Sequence, residues 1–236
     1  MQSAKVINSK QAKKGTSGAW DLTLSDGTVT HLASFQPLHE TKAVMHFADG
    51  RTEMNFKDFW EYNIAAYRIA KLLGLDDMVP VYTERKWNGM TGSISWYVPD
   101  VQFDEADRHR QNIQVPAAFV EAWNKQMYKV RLMTQLFYDT DPNLTNVLVT
   151  KDWKIWRFDF TRAFRTYDKL ADPKDLVQID RELLAKLRTL TFDQVANATK
   201  PYLTKSEIKA LMARRDKIVA LFDKMMAEKG ENQVLY

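Results

Sequence analysis

Apolar and polar positions alternate with a period of two along the first hundred residues and with a period near 3.6 through most of the rest. Residues 20–24 and 28–35 are short strand-like runs separated by Ser25-Asp26-Gly27, and an Asp-Gly pair between such runs predicts a β-hairpin. Residues 79–85 and 93–98 flank Asn88-Gly89 in the same way, and Pro99-Asp100 closes this second predicted hairpin. The small, flexible stretch 14–19 reads as a loop between strands. Between the hairpins, Phe56, Phe59, Trp60, Ile64, Tyr67 and Leu72 recur at helical steps, with Asn55 as N-cap and Gly74 as stop. They predict one amphipathic helix of about five turns.

Beyond residue 98 the pattern is helical. Phe119, Trp123, Met127, Val130, Met133 and Phe137 make one stripe on a helix over 116–137. Thr191 with Gln194, and Thr204 with Glu207, spell capping boxes. The helix after Thr204, with Ile208, Leu211, Val219, Phe222 and Met226 inward, is predicted to be the longest. The Met and aromatic stripes read as core, not as a cofactor box. The reading is an α+β protein of two lobes, a β-rich one over 1–98 with one main helix and a mostly helical one over 99–236.

Composition narrows the chemistry. The chain has 236 residues, 45% hydrophobic and 27% charged, with 8 Gly and 7 Pro, which excludes a disordered or collagen-like chain. At this length folding buries roughly 70 to 75% of the unfolded surface, so no staple is needed. Cys is absent, which removes disulfides, thiolate metal sites and cysteine nucleophiles and leaves the redox compartment open. The net charge of +4 is spread along the chain, a weak basis for nucleic acid, and none is expected as a partner. No apolar run approaches the 18 or so residues of a membrane span, and the polar, basic start lacks a signal-peptide core. The expectation is a soluble protein, cytoplasmic by default, with an exported form whose leader has been removed equally compatible.

Two polar interruptions of apolar runs carry the chemistry. Asp141 and Asn146 lie on one tight loop; residues 147–149 form a short strand that turns at Lys151-Asp152 and returns over 155–158 to Asp159. A hairpin brings its ends together, so Asn146 and Asp159 can face one ion. Two oxygen ligands on a rigid hairpin suit Mg²⁺, which fills its octahedron with water and substrate phosphates. Asp141 then stands free to orient or deprotonate an attacking hydroxyl. Singly, each of these residues is an ordinary turn residue. In this order and around this hairpin, they match the kinase arrangement of catalytic-loop Asp, Asn five residues on, and metal-binding Asp.

The sequence resembles the atypical protein-kinase-like superfamily that includes HipA-type toxin kinases, phosphatidylinositol kinases and secretory-pathway casein kinases, and within it a bacterial branch. The resemblance runs from about residue 15 to 165. It is carried by Asn63-Ile-Ala-Ala-Tyr-Arg68, Leu72-Leu-Gly-Leu75, Val79-Pro80, Glu84-Arg85, Asp139-Thr-Asp141, Asn143-Leu-Thr-Asn146 and Asp159-Phe-Thr-Arg-Ala-Phe-Arg165. It implies a two-lobed kinase-like fold that binds ATP with Mg²⁺ or Mn²⁺ and transfers the terminal phosphoryl group to a hydroxyl of an unidentified acceptor. Asp141 becomes the catalytic Asp, Asn146 and Asp159 the metal ligands, and Gly15 and Gly18 bound the loop over the phosphates.

The resemblance also implies a departure. The lysine expected near the end of the third strand falls on Gln36, and its partner glutamate on Asn63. A Gln–Asn pair can hydrogen-bond to itself and to phosphate oxygens but carries no fixed positive charge, so nucleotide binding should weaken unless Lys42 or Lys14 supplies an ammonium. Two alternatives follow: a pseudokinase that binds nucleotide or serves as a scaffold, and a nucleotidyltransferase. Glu61 reads as solvent-exposed and a poor substitute for the missing glutamate. His31, His39, His46 and His109 lack the spacing of a zinc protease site and read as ordinary surface residues. Arg162 and Arg165 suit either phosphate binding or ion pairing. No P-loop, dinucleotide fingerprint or nucleophile elbow is present.

Overall fold

The computed structural model describes residues 1–12, 18–47 and 50–236. Five strands come first, β1 (Lys5–Gln11), β2 (Trp20–Ser25), β3 (Thr30–Gln36), β4 (His39–His46) and β5 (Thr52–Phe59), followed by helix α1 (Glu61–Leu73) and strands β6 (Tyr82–Trp87) and β7 (Met90–Trp96). The remainder runs β8 (Val101–Asp104), α2 (Glu105–Arg110), α3 (Val120–Phe137), β9 (Val147–Thr150), β10 (Ile155–Arg157), α4 (Arg181–Thr189), α5 (Phe192–Thr199), α6 (Lys205–Lys229) and α7 (Glu231–Val234).

Both predicted hairpins form within one antiparallel sheet of order β1-β2-β3-β7-β6. Asp26 Oδ1 closes the first turn by accepting from the backbone N–H of Thr28 and of Val29, each at 2.9 Å. Asn88 and Gly89 both take positive φ, as a two-residue turn between right-twisted strands requires. Leu22, Leu24, Ala33, Phe35 and Ile94 cover one face of this sheet. At Gly92 on β7 an added Cβ would lie 2.4 Å from the Gln36 carbonyl oxygen, so glycine is what lets β7 pack closely beside the end of β3.

The main helix differs from its prediction. Asn55 is not an N-cap: it lies inside β5 with φ 54°, and α1 starts at Glu61 with Trp60 at its cap position. Phe56, Phe59 and Trp60 sit at helical spacing by coincidence; the stretch instead pairs with β4 as a separate two-stranded sheet. Gly74 ends the helix in the left-handed conformation, as expected. The strand upstream of 14–19, implied by reading that stretch as a loop between strands, forms as β1; the β4–β5 hairpin was not anticipated, although Asp49-Gly50 spells a hairpin as clearly as Asp26-Gly27.

The helical part follows its pattern except at the start of α3, where Phe119 lies in a short 3-10 turn before the helix and is exposed instead of joining the buried stripe. Both capping boxes form, at Thr191 and at Thr204, and the helix after the second is the longest at 25 residues. Ile208, Leu211 and Phe222 are buried on it and Val219 and Met226 pack against the core, joined by an unexpected buried Arg214. Helix α1 is buried along most of its length in the same core as α3, α4 and α6. Among the described residues no helix is long and apolar enough to cross a membrane.

Candidate active site

The predicted metal hairpin forms with its register intact, Val147 opposite Arg157 and Val149 opposite Ile155, and β8 extends it to three strands. Phe158 N donates to the Asn146 carbonyl at 3.1 Å, so the hairpin brings Asn146 and Asp159 to one end. Both line a cleft of about 580 Å³ that Gln36, Lys10, Tyr82 and Trp96 also line. Asp159 takes a left-handed backbone, φ 59°, which an Asp tolerates better than most residues. Its N–H donates to the Tyr82 hydroxyl at 3.2 Å, and burial pushes the Tyr82 phenol up, so this hydroxyl stays neutral.

Gln36 and Asn63 meet as the resemblance implied. Asn63 Nδ2 donates to Gln36 Oε1 at 2.6 Å and to Ser93 Oγ at 3.2 Å, while Gln36 Nε2 donates to Asp159 Oδ2 at 3.3 Å. Asn63 Oδ1 accepts the Phe160 N–H at 2.7 Å. A continuous amide chain therefore runs from α1 through β3 to Asp159. It fixes the carboxylate without a charge, because each amide both donates and accepts.

Asp141 sits on the loop after α3, outside the lining of the cleft, with its side chain about one-third exposed. Two residues to which the sequence reading assigned no role, Asp139 and Arg157, hold that loop. Asp139 is fully buried; its Oδ1 accepts the Asp141 N–H at 2.9 Å and its Oδ2 accepts from Arg157 Nη2. Arg157, equally buried, also donates to the backbone carbonyls of Phe158, Asp159 (3.1 Å) and Asn146 (3.4 Å). One guanidinium thus ties the loop of Asp141 to both ends of the hairpin. Burial raises the Asp139 carboxyl against the pull of Arg157. The available signal was an Arg inside an apolar strand, a position that a charge takes only when paired.

Other candidates resolve as follows. Gly18 is in the left-handed region at φ 61°, and Ala12 N donates to Ala19 O at 2.9 Å; Gly15 and Lys14 lie outside the described residues. Lys42 is on β4, engaged by Glu40 at 2.9 Å, and does not line the cleft; Lys10 on β1 does. Glu61 is not solvent-exposed as expected: it is half-buried and accepts from His39 Nδ1 at 2.8 Å. Arg165 and Arg162 are ion-paired, with Glu53 at 2.5 and 3.7 Å, and Arg162 with Asp141 at 3.3 Å. His31 and His39 stack on Trp96 and Phe59.

One further acid was missed. Asp58, on β5, is buried beside Thr161, and its Oδ1 makes no hydrogen bond among the described residues. Burial pushes its carboxyl up to about 6, against the Thr161 hydrogen bond and with the Asp159 charge adding to the rise. Thr161 Oγ1 donates to Asp159 Oδ1 at 3.0 Å.

The residue types fit a hard divalent cation: Asp159 and Asn146 both line the cleft, and Asp58, whose buried Oδ1 makes no hydrogen bond among the described residues, lies within electrostatic reach of Asp159. No cluster of three or more His, Cys, Asp or Glu that could form an all-protein cage exists among the described residues. A cation here would complete its shell from phosphate and water, as Mg²⁺ commonly does.

No family model matches the sequence, and neither does any curated protein. Solved structures do match in shape. Hydra Fam20, solved with sugar, superposes with a TM-score of 0.71 at 14% identity, over 100% of this chain and 89% of that one. The Golgi casein kinase with Mn/ADP bound gives 0.68 at 13%, over 99% and 76%. The Helicobacter pylori proinflammatory kinase CtkA gives 0.56 at 11%, over 97% and 98%. With a β-rich sheet leading into a helical part, this chain shares the fold of these atypical protein-kinase-like structures.

Proposed function

We propose that the chain is a phosphotransferase that binds ATP with Mg²⁺ or Mn²⁺ in the cleft and passes the terminal phosphoryl group to an acceptor hydroxyl. The observation that carries this reading is the joining of Asn146, Asp159 and Gln36 around one cleft, with Asp141 held on the adjoining loop by Asp139. Asn146 and Asp159 are the residues to hold the metal, which when bound neutralises phosphate charge. Gln36 keeps Asp159 in place, and Lys10, a residue lining the cleft, can take up part of the role of the lysine that the resemblance expects at Gln36. Asp141 accepts the hydroxyl hydrogen and aligns its oxygen, so catalysis is mostly positioning and charge neutralisation.

The second reading, a pseudokinase, rests on the neutral Gln36–Asn63 pair. Calorimetric titration of ATP with Mg²⁺, and separately with Mn²⁺, separates the two. Metal-dependent binding to wild type that Asp159→Ala removes, together with slow ATP turnover that Asp141→Ala abolishes, is the expected outcome. Binding without turnover supports the pseudokinase, and no binding at millimolar nucleotide defeats the phosphotransferase reading.

A further inference from the structure

Outside the cleft, the β4–β5 hairpin reaches the catalytic loop through two arginines. Glu53, largely buried on β5, accepts from Arg165 Nε at 2.5 Å and lies 3.7 Å from Arg162 Nη2. Arg165 Nη2 donates to Thr140 Oγ1 at 3.2 Å and to the Lys57 carbonyl at 2.8 Å. The Arg162 carbonyl accepts from Thr140 N at 3.2 Å and from Thr140 Oγ1 at 3.1 Å, and its Nη1 lies 3.3 Å from Asp141 Oδ2. The same hairpin supplies two rings against Arg162, with Phe47 and Phe56 centroids 4.7 and 5.2 Å from its guanidinium carbon.

Backbone geometry makes this possible. Glu53 and Phe56 are three residues apart and in a regular strand would face opposite sides. Asn55 lies between them at φ 54°, and the inward parity of β5 changes there: Glu53 is inward before it, Phe56 and Asp58 after it. A left-handed Asn thus turns a carboxylate and a ring toward one pair of arginines. Two carboxylates, Glu53 and Asp141, then balance two guanidiniums.

We propose that Glu53 is a positioning residue for Asp141: from the β4–β5 hairpin it holds Arg162 and Arg165 so that Asp141 Oδ2 is pinned and Oδ1 is left for the acceptor hydroxyl. Asp141 Oδ1 is touched only by Asn143 Nδ2, at 3.5 Å, among the described residues. Without the Glu53 charge, Arg162 and Arg165 repel each other, and Thr140, which both arginines touch, and Asp141, which Arg162 holds, lose their fixed place. The proposal rests on the phosphotransferase reading for its kinetic consequence but not for its structural one.

The test is Glu53→Gln, nearly isosteric, with two readouts. Amide hydrogen exchange should speed up about tenfold or more at residues 140–141 and stay unchanged in α1. Turnover of ATP with Mn²⁺, water serving as acceptor, should lose about 10- to 100-fold in kcat with KM for ATP unchanged, since Glu53 does not line the cleft. Should Glu53→Gln not fold, Arg162→Met reads the same link from its other end. Unchanged exchange at 140–141, or a loss that falls in KM and not in kcat, overturns the proposal. Absent ATP binding in wild type defeats the phosphotransferase reading instead, and the exchange result then decides the positioning role by itself.

Discussion

Gln36 and Asn63 illustrate how neutral side chains can order a cleft. The pair makes a 2.6 Å bond and a link to Asp159, so this wall is held by amides that both donate and accept. Asp58 is a different case, a buried carboxyl whose hydrogen-bond partner is the neutral Thr161 and whose Oδ1 has none among the described residues. Its carboxyl is raised to about 6 by burial, so the folded state prefers it protonated. That preference stabilises the protein fully below the ordinary Asp value near 4 and is lost as pH rises through about 6. Asp58→Asn removes the loss: urea unfolding should find the variant more stable than wild type at pH 8, by up to about 3 kcal/mol, with the difference vanishing near pH 4. An equal difference at both pH values would show that Asp58 ionises without penalty.

At the scale of elements, β5 departs furthest from its pattern. Its apolar positions mimic a helix, and Asn55 has the chemistry of a cap; the structure uses that same tolerance of unusual backbone to change strand parity. A β-branched residue does not share it. Asn55→Val should cost about 1–2 kcal/mol in urea denaturation and loosen residues 140–141 as Glu53→Gln does, whereas Asn55→Gly keeps the backbone and stays within about 1 kcal/mol of wild type. Equal effects of Val and Gly would mean that the left-handed conformation does not matter.

Across the whole molecule, α1 belongs to the sheet by sequence and to the helical core by packing. From α1, Tyr62 donates to the buried Glu207 of α6 at 2.5 Å, where Lys57 of β5 also donates at 2.8 Å, and Arg68 donates to the Ala198 carbonyl of α5 at 2.9 Å. Strand β1, by contrast, is exposed almost throughout. In rising urea, amide exchange should therefore show α1 opening together with α6, and β1 opening earlier at lower free energy. Separate opening of α1 and α6 would refute the shared core.

The sequence by itself determined the features that short-range physics dictates: two hairpins from Asp-Gly and Asn-Gly turns, two capping boxes, the α3 stripe, and the hairpin between Asn146 and Asp159. Each depends on residues a few positions apart. The order of Asp141, Asn146 and Asp159 was legible for the same reason, since one loop and one hairpin contain them. Tertiary structure alone decided the rest. Arg157 reaching Asp139, Asn63 reaching Gln36, Lys10 lining the cleft in place of Lys42, and Glu53 reaching Arg162 all join residues of separate elements. Burial is what makes such pairings selective, because a charge or amide removed from water must find its partner wherever the chain has folded it.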